Sequence, residues 1–138
     1  MSDRLSPEAA LIDVMVVVSA ADRRMSDDEL KTIGSLVRSL PAFRDFDIEQ
    51  LLPTAEACAT MLASERGLDG VLQRVSQALP ESLRETAYLL AVEIAMADGG
   101  QMPQEVIRLL ELIRYALHVD RLVAAAIERA ARARFTSH

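Results

Sequence analysis

A chain of 138 residues suits a single domain, residues 1–138, and at that size roughly two-thirds of the unfolded surface can be buried without staples. Its hydrophobic share of 51% and charged share of 26% exclude a disordered chain. With 15 basic against 21 acidic residues the net charge is -6, so nucleic acid is not an expected partner, because phosphate neutralisation needs clustered cations.

Trp is absent, and there are only five Gly and five Pro, so the composition favours helices over a β-rich core. The lone Cys58 cannot form an internal disulfide and reads as a small buried hydrophobe in a reducing compartment. The opening "MSDRLSPE" does not read as a secretion signal. The longest apolar stretch, Ala9 to Ala21, is interrupted by Asp13 and is shorter than the roughly 20 residues of a membrane span. A soluble, cytoplasmic protein is expected.

In chain order, "LSPEAALIDVMVVVSAAD" opens with Ser6 as N-cap and Pro7 at the first helical position. It is apolar nearly all round, which predicts a central, buried helix. "MSDDELKTIGSLVRSLP" restarts with Ser26 and Glu29 as a capping box. Leu30, Ile33, Leu36, Val37 and Leu40 then form one helical face, and Pro41 ends it. "FRDFDIEQLLPTAEACATMLASERG" predicts a third helix capped by Asp47, broken or kinked early by Pro53 and stopped at Gly67. "LDGVLQRVSQALP" is a short amphipathic helix, and "PESLRETAYLLAVEIAMADGG" a second long apolar one. "MPQEVIRLLELIRYALHVD" and "DRLVAAAIERAARARF" complete about seven helices with short connections, an all-α compact bundle.

The bundle contains a repeat. With Asp22 set on Asp98, Val14 falls on Leu90, Val18 on Ile94, Glu29 on Glu105, Leu30 on Val106, Ile33 on Leu109, Leu36 on Leu112 and Val37 on Ile113, without a gap. The same helix–turn–helix hairpin occurs twice, and two such hairpins are expected to pack about a pseudo-two-fold axis with the apolar helices at the centre. Met25 and Met102 flank the two turns and are expected to pack there as adaptable plugs.

Each copy ends its apolar helix in Ala-Asp and places a Glu seven residues later. The Glu suits a helix amino end, but an Asp at a carboxyl end opposes the dipole and needs compensation. Arg23 and Arg24 cannot supply it in both copies, because the second has Gly99 and Gly100. Two compensations stay open: hydrogen bonds from loop amides, or a bound cation held by an Asp and a Glu from each copy, with Asp27 and Asp28 nearby. Neither turn has EF-hand spacing, and two histidines without a Cys pair disfavour zinc. Asp13 and Glu93 lie inside the apolar helices and are expected to face solvent or an arginine. The last helix carries Arg121, Arg129, Arg132 and Arg134; arginines in its last turn complement its dipole, or the set docks an acidic partner or phosphate. No phosphate loop, His-Glu-x-x-His motif or nucleophilic triad is present, so an enzyme is not expected.

The stretches "AADRRMSDDE" and "AMADGGQMPQE", set in seven helices with a duplicated hairpin, resemble the TerB-like family of bacterial tellurite-resistance proteins, related to the amino-terminal domain of the co-chaperone DjlA. The resemblance runs from about Leu5 to Val123. It implies an all-helical fold and clustered acids suspected of holding a divalent cation, Ca²⁺ or Mg²⁺ rather than Zn²⁺. Carried over by position, those acids are Asp22, Asp28, Glu29, Asp98 and Glu105. Arg23 stands where the family usually has Gly, and Gln101-Met102-Pro103 where a hydrophobic residue and Ser are usual. The expected function is a non-enzymatic, metal-binding module in tellurite or stress resistance, working with other proteins of that system. The alternative is a protein-interaction domain whose acids only cap helix turns. With no amino-terminal anchor and no J-domain visible, the co-chaperone role is not expected.

Overall fold

A computed structural model describes residues 5–21, 27–97 and 102–137, and the side chain of Asp28 lies outside the described set. Seven α-helices run through these residues: α1 Pro7–Ala20, α2 Asp27–Ser39, α3 Leu51–Leu62, α4 Gly67–Ala78, α5 Arg84–Ala95, α6 Gln104–Ala116 and α7 Arg121–Phe135. Single 3₁₀ turns occur at Pro41–Phe43, Ile48–Gln50 and Glu81–Leu83. The described residues contain no strand, and no helix among them is long and apolar enough to cross a membrane.

The start of α1 is set locally. The Ser6 hydroxyl accepts the Ala9 amide at 3.1 Å, and Pro7 follows at the first helical position. Every residue from Ala10 to Ser19 is buried, because α3, α4 and α5 surround the helix. The second apolar helix, α5, packs on α1 and on α7. The expected buried, central pair is therefore present.

The contacts also exchange between the repeats. α1 packs on α3 as α5 packs on α7, while α2 and α6 each touch both central helices. An approximate two-fold relating α1–α2–α3 to α5–α6–α7 generates such a pattern, so the repeat extends to three helices. The remaining helix, α4, packs against α1, α3 and α6.

Three local expectations are corrected. Leu30, assigned to the buried face of α2, is 51% exposed, whereas its counterpart Val106 is buried. The reason is rotational. α2 buries Glu29, Ile33, Leu36 and Val37, while α6 buries Val106, Leu109, Leu110 and Ile113, so the buried stripes are displaced around the two helix axes. Pro53 neither breaks nor kinks α3. It falls in the first turn, where a missing N–H is tolerated, and the irregularity lies just before it as the Asp47-capped 3₁₀ turn. Gly67 does not stop α3, which ends at Leu62; with φ of +53° it is the left-handed residue that opens α4. The Ser26 half of the proposed capping box, and Met25, lie outside the described residues.

The α6–α7 connection is a Schellman turn. The Val119 amide donates to Arg114 O at 3.1 Å and the His118 amide to Tyr115 O at 3.2 Å. His118 takes the left-handed position, φ 56°, that glycine usually fills. The Asp120 carboxylate then caps α7, accepting the Leu122 and Val123 amides at 2.9 and 3.3 Å.

Candidate functional site

Asp22 and Asp98 lie outside the described residues, as does the side chain of Asp28. The two remaining members of the expected acidic set occupy different environments. Glu29, in the first turn of α2, is 3% exposed. Glu105, its counterpart in the first turn of α6, is exposed. The displaced buried stripes account for this difference.

Glu105 lines an apolar cavity of about 450 Å³ together with Val17, Ala20, Ala21, Leu109 and Arg108. Ala20 and Ala21 belong to the carboxyl end of α1, and the chain continues from them into Asp22. The second copy's Glu thus faces the helix end that carries the first copy's Asp. Arg108 lines the same cavity, and its positive charge disfavours a cation beside Glu105. Among the described residues, no three His, Cys, Asp or Glu side chains come close enough to share one ion. The donors that remain are carboxylate oxygens, which suit a hard divalent cation in chemistry. The two described glutamates present them unequally.

The interior acids are resolved differently. Glu93, 4% exposed, accepts the Arg134 Nε–H at 3.0 Å, the expected arginine partner. Asp13, 4% exposed, has an Oδ1 that makes no hydrogen bond among the described residues. Burial raises its carboxyl to about 7 against the weaker opposing pull of Arg74. The Cys58 thiol, also buried, donates to the Asp13 carbonyl at 3.8 Å. Burial, then the charge of Asp13, pushes this thiol far above the usual range, so it stays protonated and unreactive.

Sequence reasoning missed one constellation. Tyr88 on α5 is 1% exposed, and its hydroxyl donates to Glu128 Oε2 of α7 at 2.5 Å. The available signal was a tyrosine set inside the apolar run "ETAYLLAV", since a buried phenol needs a partner. Met102 is partly buried against the core, as expected of a plug beside the second turn.

The family model described as "Tellurite resistance protein TerB" matches residues 8–131, nearly the whole chain. The chain belongs to the TerB family. Neither curated proteins nor solved structures gave a match. The TerB match spans α1 through most of α7 and includes both hairpins, so family membership applies to the duplicated unit as a whole.

Proposed function

We propose that this TerB-family chain is a non-enzymatic, cytoplasmic module of bacterial tellurite or stress resistance whose paired turns hold a divalent cation, Ca²⁺ or Mg²⁺, and which works with other proteins of that system. The ligands proposed are Asp22 and Glu29 of the first hairpin, Asp98 and Glu105 of the second, and Asp28. The observation that carries this reading is Glu105 facing Ala20 and Ala21 across the repeat boundary, the residues that lead into Asp22. An ion there compensates an acid at a helix carboxyl end in a way that isolated turns cannot. The non-enzymatic part rests on Asp13 and Cys58: both are sealed in the core, and the thiol, which donates to the Asp13 main-chain carbonyl, is held protonated.

The test is thermal unfolding of wild type, Asp22→Asn, Asp98→Asn and Glu105→Gln in chelator and in added Ca²⁺ or Mg²⁺. Wild type at 100 times its Kd gains about 2.7 kcal/mol, on the order of 10 °C in Tm. The variants lose that gain and are at least as stable as wild type in chelator, because like charges no longer repel. A wild-type Tm indifferent to both ions overturns the metal reading. Destabilisation by Asp→Ala, without any ion effect, replaces it with capping alone.

One observation favours the second reading, a protein-interaction domain. Leu30, Ile48 and Leu52 are 51%, 39% and 64% exposed and border one crevice of about 300 Å³ between α2 and α3. Clustered exposed apolar side chains are what a protein partner covers.

A further inference from the structure

The crevice between α6 and α7, with α5 at its base, is a cavity of about 490 Å³, within the size range of small-molecule sites. Its lining combines an apolar floor, including Met96, Leu110 and Ala124, with five charged side chains. Arg114, Arg121 and Arg132 face it, as do Glu111 and Glu128. In a chain of net charge -6, this cavity therefore carries a surplus of one positive charge.

The hydrogen bonds keep that surplus available. Tyr88 ties up Glu128 from below, and burial followed by this bond holds the phenol protonated well above its usual range. Arg114 Nη1 donates to the Val119 carbonyl at 3.2 Å, which fixes it to the α6–α7 turn. Arg121 and Arg132 form no ion pair among the described residues. They stand on one face of α7, and both line the cavity.

The first repeat shows that this lining is not a by-product of the duplication. Arg38, the counterpart of Arg114, also lines the crevice between the second and third helices of its repeat. There it meets one acid, Glu49, among apolar neighbours such as Leu30 and Leu52. No second or third arginine joins it.

We infer that the α6–α7 cavity binds an amphipathic organic monoanion, a carboxylate on a short apolar tail. Arg121 and Arg132 stand eleven residues, roughly 16 Å, apart along α7, so the planar carboxylate takes the fork of one of them while the other adds to the positive field, and the tail lies along Met96 and Leu110. Glu111 and Glu128 disfavour a dianion such as phosphate, since one surplus positive charge balances one negative. The cavity borders the second turn through Met96 and Met102, but it uses none of the proposed metal ligands and does not depend on their holding a metal.

The experiment is a ¹H–¹⁵N NMR titration of the full chain with octanoate, inorganic phosphate and octylamine. Octanoate is expected to shift the amides of α6 and α7 saturably, while phosphate and octylamine leave them in place. The double variant Arg121→Gln/Arg132→Gln, at exposed positions that do not support the core, binds octanoate about tenfold more weakly or worse. Arg129→Gln, exposed on the same helix, binds like wild type. The proposal is overturned if octanoate at millimolar concentration produces no saturable shift, or shifts the α2–α3 crevice instead. Equal binding of octylamine or phosphate, or full affinity in the double variant, overturns it as well.

Discussion

At the scale of single residues, the consequential side chain is Asp13. The folded chain keeps its proton up to about pH 7, whereas the unfolded chain releases it near the model-compound value of 3.8. Its contribution to stability is thus complete below pH 3.8, declines as the pH rises to about 7, and is flat beyond. The full excursion is on the order of 4 kcal/mol. Asp13→Asn, the same shape without the charge, is expected to raise Tm at pH 8 and to change it little at pH 4, in melts followed by circular dichroism. Parallel wild-type and variant curves across that range would show that the carboxyl does not titrate with folding. Tyr88→Phe addresses another buried polar group. It removes one hydrogen bond to a charged acceptor, at a cost of about 1.5–3 kcal/mol, and frees Glu128 to pair with the arginines beside it. Octanoate affinity in the same NMR titration is expected to fall. Sequence alone placed Cys58 in the core because the apolar run around it is unambiguous, but it turned Asp13 toward solvent or an arginine, whereas the packing of three helices on α1 leaves that carboxyl 4% exposed. It could not pair Tyr88 with Glu128, which come from different helices and meet only through packing.

At the scale of elements, the two repeats test how far equal sequence makes equal structure. Helix order, the Ser6-Pro7 start and the Pro41 stop were legible, because caps and prolines act within a single turn. The rotation of α2 relative to α6 was not, because an amphipathic stripe wide enough for both registers leaves the choice to packing partners. Leu36 and Leu112 expose the difference, being 9% and 46% exposed at equivalent positions. Leu36→Ala is expected to cost about 2–4 kcal/mol and Leu112→Ala under about 1 kcal/mol, measured by urea unfolding. The same rotation explains why Glu29 is buried and Glu105 exposed, so the acidic set read from the repeat is only half symmetric in space. The α6–α7 turn offers a gain instead. His118 is exposed with φ of 56°, and glycine there relieves the left-handed strain. His118→Gly is expected to stabilise the fold by about 1 kcal/mol, seen as a higher urea midpoint at unchanged slope. An unchanged or lower midpoint would mean that the imidazole contributes more than its backbone strain costs.

At the scale of the whole molecule, the two repeats share one core. α1 and α5 pack against each other at its centre, so neither repeat can open without exposing a helix that is apolar on every side. Urea unfolding is therefore expected as one transition, with the ultraviolet signal of Tyr88 and Tyr115, both in the second repeat, coinciding with the helical signal of the whole chain. Separate midpoints would show that the repeats unfold independently. The exchange of contacts between α1–α2–α3 and α5–α6–α7 has a further consequence. Physically the chain is a tethered pair, with α4 in the tether, and the joining of its halves is an intramolecular event governed by effective concentration rather than by mass action. Two free halves would pay translational entropy to meet and would need identical faces to match each other. The tether removes both demands. One copy can then drift toward an apolar crevice and the other toward an arginine-lined cavity, while the seam between them stays closed at any dilution.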